Sequence, residues 1–159
     1  MRSWRPLRLA VLLTAVVLTG ATAGCDDPVS PAVTDLARAM DRWEAHGPRD
    51  YSFDYQVKCF CSLDTRPLRI EVRDGEVVRA LPAGSEEVLD DGAALDGIPT
   101  IDDLFKWILD AIEHEAAQID ATYDEQLGYP HDVFIDRIKQ AIDDEFSFEV
   151  TNFQALSSR

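Results

Sequence analysis

Two cysteines separated by one residue, Cys59 and Cys61, are the arrangement in this chain that is best suited to chemistry. They lie in a segment with strand-like alternation, so both side chains point to the same face of the strand. Two strand steps place their Cα atoms roughly 6.6 Å apart, near the upper limit of about 6.8 Å for a disulfide. A bond between them would need a bend or bulge, and it would stabilise the fold only weakly because it encloses almost no loop.

Three interpretations of this cysteine pair stay open at the level of sequence. The first is a local, mildly strained disulfide, which would be easier to reduce than an ordinary structural one. The second is a pair of buried thiols that pack as small hydrophobic side chains. The third is thiol-redox exchange or binding of a soft metal, with copper(I) as the natural ion for two thiolates. The other residues on that strand face are Tyr, Phe and Val, which favours burial.

A third cysteine, Cys25, follows a leader that is typical of exported proteins. The leader begins with the basic residues Arg2, Arg5 and Arg8 and continues with an apolar run over residues 9–18. This run has about ten residues, against the roughly 20 that a helix needs to cross a bilayer. The leader therefore predicts export and not a stable membrane span.

The end of the leader fits two cleavage patterns. Residues 22–25, TAGC, resemble a bacterial lipobox, in which the cysteine is lipidated and becomes the mature N-terminus, although that pattern most often begins with Leu. Residues 21–23, ATA, also fit an ordinary cleavage site, which would release a soluble secreted protein. Lipidation of Cys25 leaves the other two cysteines as an even pair in an oxidising compartment. We therefore predict a signal peptide over residues 1–24 and a lipid on Cys25.

The charge of the chain restricts its partners. Three of the 15 basic residues and none of the 30 acidic residues lie in the leader, so the mature chain has 12 basic and 30 acidic residues and a formal charge of −18. Such a charge repels nucleic-acid phosphates and anionic membrane surfaces. We predict no nucleic-acid partner, a membrane contact made through the N-terminal lipid, and an envelope protein as a further partner whose identity the sequence leaves open.

No other motif points to catalysis or to a metal. Residues 114–118, HEAAQ, begin like the zinc-protease pattern H-E-x-x-H but have Gln118 where the second histidine ligand would stand. The sequence also lacks a four-ligand zinc spacing, a nucleophile elbow, a phosphate-binding glycine loop and a dinucleotide fingerprint. We therefore predict no catalytic residues, no metal ligands and no cofactor.

The elements that must position these residues are read from the hydrophobic period. Helical spacing follows Ser30-Pro31 and ends at Gly47-Pro48, and a second helix begins at Thr100. Strand alternation marks residues 51–61, 68–73, 76–81, 119–123, 131–138 and 146–151. Asp74-Gly75 suits a tight hairpin turn in which both residues have positive φ.

This order predicts an α+β fold, helix–three strands–helix–three strands, with an antiparallel sheet and both helices packed on one face. The 135 residues after the leader suffice for one domain with a core. We assign residues 25–32 to a lipidated tether and residues 33–156 to a single α+β domain.

Several short motifs in this order resemble a family of short bacterial lipoproteins that is defined only as a domain of unknown function. The motifs are the Cys59-Phe60-Cys61 strand, the Asp74-Gly75 hairpin, the helix start Thr100-Ile101-Asp102-Asp103-Leu104-Phe105, Tyr123-Asp124, and Gly128-Tyr129-Pro130. The likeness covers about residues 51–153. It implies a secreted or lipidated domain without evident catalysis, and it supplies no functional residues.

The sequence thus favours an exported, lipid-anchored protein of the bacterial cell envelope with a binding or structural role and no enzymatic activity. The alternative is a thiol-redox or copper(I)-handling protein that uses Cys59 and Cys61. The two hypotheses differ in whether those thiols are reactive.

Overall fold

The computed structural model describes residues 30–58, 66–82, 84–85, 95–139, 141 and 144–157. Within them the chain forms two helices and six strands. In chain order these are α1 (Pro31–His46), β1 (Tyr51–Lys58), β2 (Leu68–Arg73), β3 (Glu76–Pro82), α2 (Ile101–Glu113), β4 (Gln118–Tyr123), β5 (Pro130–Asp136) and β6 (Glu145–Ala155). The predicted α+β class and the predicted order of elements are confirmed.

All six strands form one antiparallel sheet in the order β3-β2-β1-β6-β5-β4. Each run of three strands is a meander, and pairing of β1 with β6 joins the two meanders at the centre of the sheet. Tyr55 lies opposite Val150 and Val57 lies opposite Phe148 in this central pair. The first and last strands of the domain are therefore neighbours.

The hairpin between β2 and β3 forms as its sequence predicts. Asp74 and Gly75 have φ values of 50° and 84°, the left-handed conformation that a two-residue turn of this kind requires. Asp50 steadies the turn, because its Oδ1 accepts a hydrogen bond of 3.0 Å from the Asp74 backbone N–H.

The hydrophobic core lies between the helices and one face of the sheet, as predicted. The alternating apolar positions of the central strands fill it, together with the apolar stripes of both helices. The largest fully buried side chains include Tyr51, Phe53, Phe148, Ile70, Ile101, Leu104, Ile108 and Ile135. The opposite face carries no helix in the part of the chain that the structure describes, and we call it the open face.

The two helices begin in different ways. Thr100 forms a capping box with Asp103: its hydroxyl accepts from the Asp103 backbone N–H at 3.2 Å, and the Asp103 carboxylate accepts from the Thr100 backbone N–H at 3.1 Å. Ser30 occupies the N-cap of α1, but its side chain makes no capping hydrogen bond. Pro31, whose φ suits the first helical position, therefore provides the local signal that starts α1.

Strand β1 is more buried than its alternating pattern predicts. Ser52 and Asp54, expected on a solvent-facing side, are only 7% and 9% exposed. The reason is the central position of β1, where side chains of β2 and β6 cover its outward-facing residues. Residues 59–61, predicted as the continuation of this strand, lie outside the described residues.

Strand β6 contains a bulge that its alternation does not predict. The register with β1 shifts between Ser52 and Asp54, and Asn152 on β6 has a φ of 51°. The extra residue reverses the facing of the strand residues beyond it. As a result, Phe153 packs against the core, where its ring lies 5.4 Å from the ring of Tyr51.

The strands define two ends of the molecule. The hairpin end carries the Asp74–Gly75 turn, and the end of α1 and the start of α2 lie beside it, since Trp43 and Asp102 line a common cleft with that turn. The Ser30 end is opposite: Ser30 lines a cleft with Gln118, where β4 begins, and Gln118 pairs with Asp136, where β5 ends.

Candidate functional site

The cysteines singled out by the sequence, Cys25, Cys59 and Cys61, all lie outside the described residues. Lipidation of Cys25 and each of the three interpretations of the Cys59–Cys61 pair stay predictions. The described chain stops at Lys58, the last residue of β1, and resumes at Arg66 just before β2. Lys58 itself lies toward the Ser30 end of the sheet, where it pairs with Ser147 near the start of β6.

A polar group that joins three adjacent strands lies at the centre of the open face. Asp54 on β1 makes a two-pronged ion pair with Arg69 on β2, which donates from Nε to Oδ1 and from Nη2 to Oδ2, the second at 3.1 Å. Asn152 in the β6 bulge donates from Nδ2 to Asp54 Oδ2 at 2.7 Å. Three adjacent strands are therefore tied together above the core by one carboxylate.

Further ion pairs continue along the same face. Lys58 at the end of β1 lies 3.0 Å from a Glu149 carboxylate oxygen on β6, and the Ser147 hydroxyl donates to the Lys58 carbonyl at 3.0 Å. The hydrogen bond to Glu149 raises the pKa of Lys58, with the charge of Glu149 adding to the effect.

Toward the hairpin end, Arg73 on β2 contacts three acceptors. Its guanidinium bonds to the Glu71 carboxylate at 2.8–2.9 Å, to the Asp50 carboxylate at 3.3 Å and to the Ser157 carbonyl at 3.0 Å. The Glu71 hydrogen bond is the main cause that raises the pKa of Arg73. This cluster joins the β2–β3 hairpin to the segments before β1 and after β6.

Charge is unevenly divided over the open face. At one edge of the sheet, β2 and β3 place three cations on the open face: Arg69, Arg73 and Arg79. At the other edge, the strand register places three carboxylates of β4 and β5 on the same face: Asp120, Asp132 and Asp136. Strands β4 and β5, which are fully described, contain no Lys or Arg. One half of the face therefore carries paired charges of both signs, while the other half is acidic.

A cleft of about 180 Å³ opens at the hairpin end between α1, α2 and the β2–β3 turn. Trp43 lines this cleft and donates from Nε1 to Asp102 Oδ1 at 3.1 Å. Tyr51 lies beside it and accepts a 3.1 Å hydrogen bond from the Ile101 backbone N–H at its hydroxyl oxygen. Burial raises the pKa of Tyr51. These contacts fix the start of α2 against β1, so the aromatic side chains are structural members of the cleft.

Two more clefts, of about 320 and 350 Å³, lie between the first turn of α1 and edge strand β4. Ala32 and Ile119 line both of them, and Asp35 and Tyr123 line the second. Burial, with the charge of Asp35 adding, raises the pKa of Tyr123 to about 12. The Tyr123 phenol is therefore neutral at physiological pH.

The described residues form no evident metal centre. In this part of the chain, no three His, Cys, Asp or Glu side chains come together in a way that could hold a metal ion. His114, the first residue of the incomplete zinc-protease pattern, caps the end of α2, and its Nδ1 lies 2.8 Å from the Asp110 carbonyl. Its side chain is 69% exposed, as expected of a surface histidine. No helix within the described ranges is long and apolar enough to cross a membrane.

A protein-family model matches residues 35–155, from the first turns of α1 to the last residue of β6. The chain belongs to DUF6174, a family of unknown function. The match includes every described residue of the open face except Ser157 and supplies no role for any of them. Comparisons with curated proteins and with solved structures find no match.

The sequence does not predict that Asp54, Arg69 and Asn152 form one group. Alternation places Asp54 and Arg69 on the outward side of their strands, which the structure confirms, but it does not give the register that brings them together. The connection between the two strands is too long to fix that register by turn geometry. Asn152 reaches the carboxylate through a bulge, for which its neighbours in sequence give no signal.

Proposed function

We propose that this DUF6174 protein is an exported, lipid-anchored protein of the bacterial cell envelope with a binding or structural role and no catalysis of its own. The observation that carries the proposal is the export leader that ends at Cys25, a short distance before a compact domain that begins with α1 at Pro31. The alternative localisation is a soluble secreted form produced by cleavage one residue earlier.

Expression of the full chain in a bacterial host tests the anchor. We expect the wild-type protein to sediment with membranes and its mature N-terminal peptide to carry acyl groups on Cys25 by mass spectrometry. The matched control is Cys25→Ser, which keeps the leader and the size of the side chain but removes the acylated sulfur. An unmodified N-terminus at Gly24 in the wild-type protein would contradict lipidation and would support secretion.

The open face supports the binding role. It combines a rigid, hydrogen-bonded centre at Asp54 with an acidic half on β4 and β5, and preorganised polar groups lower the entropy that a binding surface loses on association. We propose that a partner with a basic surface binds at the acidic half, since potentials of opposite sign accelerate and orient association.

A photo-crosslinking amino acid placed in living cells tests this surface. We expect benzoylphenylalanine at Asp120, exposed on the open face, to give a discrete adduct with an envelope protein. Its formation should weaken as salt is added to isolated envelopes, because salt screens exposed charges. The control position is Arg38, exposed on α1 on the covered side of the sheet. Adducts of equal yield from both positions, or none from Asp120, would contradict the assignment.

A further inference from the structure

The position of Ser30 determines which end of the anchored domain can face the membrane. Five residue steps separate Ser30 from Cys25, and an extended chain spans at most about 3.6 Å per residue, so the tether reaches about 18 Å. Helix α1 alone has 16 residues and is about 24 Å long at 1.5 Å per residue. An inverted domain would lift Ser30 farther from the bilayer than the tether can reach.

A short exposed segment lies next to Ser30 at this end. Ser30 and Ala117 line the same cleft, and the Ala117 backbone N–H donates to the Arg137 carbonyl at 3.3 Å. Arg137, Ile138 and Lys139 follow the end of β5, and we call these three residues the Ile138 tip. Ile138 is 61% exposed, the highest value among the large hydrophobic residues of the described structure.

The chemistry of the Ile138 tip suits the interfacial layer of a bilayer. An isoleucine side chain gains free energy on leaving water for the boundary of the acyl chains, and the long aliphatic stem of Lys139 lets its ammonium stay among the lipid phosphates. Arg137 is held in place by an ion pair of 3.1 Å with Asp110 on α2. The tip therefore presents one exposed apolar side chain and one exposed cation beside an arginine that is paired with α2.

The acidic half of the open face makes a side-on orientation less favourable. A domain lying on that face would bring Asp120, Asp132 and Asp136 against lipid phosphates, and the like charges would repel. Resting on the Ile138 tip moves Asp132, four residues farther along β5, away from the headgroups and leaves the open face accessible, while Asp136 stays beside the tip.

We propose that the Ile138 tip is a membrane-contact site, on which the anchored domain stands with its hairpin end directed away from the bilayer. This inference rests on the proposed lipid anchor. It identifies the partner of the tip as a lipid surface, and it places the hairpin turn and the cleft beside it, which Trp43 lines, at the membrane-distal end.

Fluorescence quenching in vesicles tests the site with the full lipidated protein. The variants Ile138→Trp and Val78→Trp each introduce one exposed tryptophan; Val78 is 43% exposed on edge strand β3 near the hairpin end and serves as the matched control. Each is reconstituted in phosphatidylcholine vesicles with or without brominated acyl chains, which quench nearby tryptophan. The wild-type protein gives the background of the native tryptophans.

We expect a loss of emission beyond the wild-type background for Ile138→Trp and none for Val78→Trp. Equal losses for both variants, or no additional loss for Ile138→Trp, would overturn the membrane-contact site. Lys139→Trp provides a second reporter if thermal unfolding shows that Ile138→Trp has not folded.

Flotation of the protein with the vesicles is recorded separately. Wild-type protein that does not float overturns the lipid anchor and with it the membrane-contact site. Protein that floats but shows no selective quenching overturns the membrane-contact site alone.

Discussion

At the residue scale, Asp54 is the polar side chain with the greatest structural consequence. Its carboxylate is nearly buried and accepts hydrogen bonds from Arg69 and Asn152, so β1 is tied to both of its neighbours at one point. A carboxylate in such a place is stable only while its partners remain, because an unpaired buried charge is costly. The Arg69 guanidinium, whose side chain is 32% exposed, loses its carboxylate partner when Asp54 is removed but keeps some contact with water.

Replacing Asp54 by Ala should lower the free energy of unfolding by about 2 kcal/mol, since hydrogen bonds to a charged, mostly buried group are lost and Arg69 is left without its carboxylate. Urea unfolding followed by circular dichroism measures the change. The control is Asp35→Ala, which breaks an exposed ion pair with Arg38 and should change stability by less than about 0.5 kcal/mol. Similar losses in the two variants would contradict a special role for Asp54.

At the element scale, the sequence predicts the helices and strands well because each has a clear period and clear boundaries. Thr100 with Asp102 and Asp103 marks the start of α2, and Asp74-Gly75 marks the hairpin, and both form as predicted. Ser30 also stands where an N-cap is expected, yet its hydroxyl makes no capping bond. An N-cap residue in the sequence therefore predicts where a helix begins more reliably than it predicts a capping hydrogen bond.

This difference between the helix starts can be measured. Thr100→Ala removes the hydroxyl that accepts from the Asp103 backbone N–H, and we expect it to destabilise the domain by about 1 kcal/mol. Ser30→Ala removes a hydroxyl that makes no such bond and should cost less than about 0.3 kcal/mol on the same scale. Thermal and urea unfolding of both variants provide the comparison, and a larger effect at Ser30 would refute the capping assignment.

The loop between β4 and β5 requires glycine at position 128 for two reasons. Gly128 has a φ of 88°, and an added Cβ would lie 2.3 Å from the Ala39 carbonyl oxygen on α1. Gly75 has a similar φ of 84° but no atom within 4 Å of such a Cβ. Substitutions at these two glycines therefore separate the free-energy cost of a left-handed backbone conformation from the cost of a clash with α1.

We expect Gly75→Ala to lower stability by about 1 kcal/mol, the cost of a left-handed conformation for a residue with a side chain. Gly128→Ala should lose at least about 2 kcal/mol more, because α1 must move away from the loop and disturb a close-packed core. Urea midpoints at constant slope give the two values. Equal losses would show that the contact between α1 and the loop is unimportant for stability.

At the scale of the whole molecule, local patterns give the class of the fold but not its strand order. The alternation of β6 predicts that Phe148 and Val150 face the core, which is correct. Nothing in that alternation says that β6 pairs with β1, about 90 residues away, and this pairing places both strands at the centre of the sheet. Long-range pairing depends on packing of the assembled core, which a single sequence does not display.

The central position of β6 predicts that the domain unfolds as one cooperative unit. Strand β6 pairs with β1 on one side and with β5 on the other. The pairing of β6 with β1 is therefore the strand contact that joins the two meanders. A chain that ends at Asp144 would lose Phe148 and Val150 from the core and would expose the pairing edges of β1 and β5.

We expect this shortened chain to show no cooperative unfolding transition in calorimetry. A control chain that ends at Ser157 keeps β6 and should unfold like the full domain. A cooperative transition in the chain ending at Asp144 would mean that one meander folds with its helix alone, and the two halves would then be independent units.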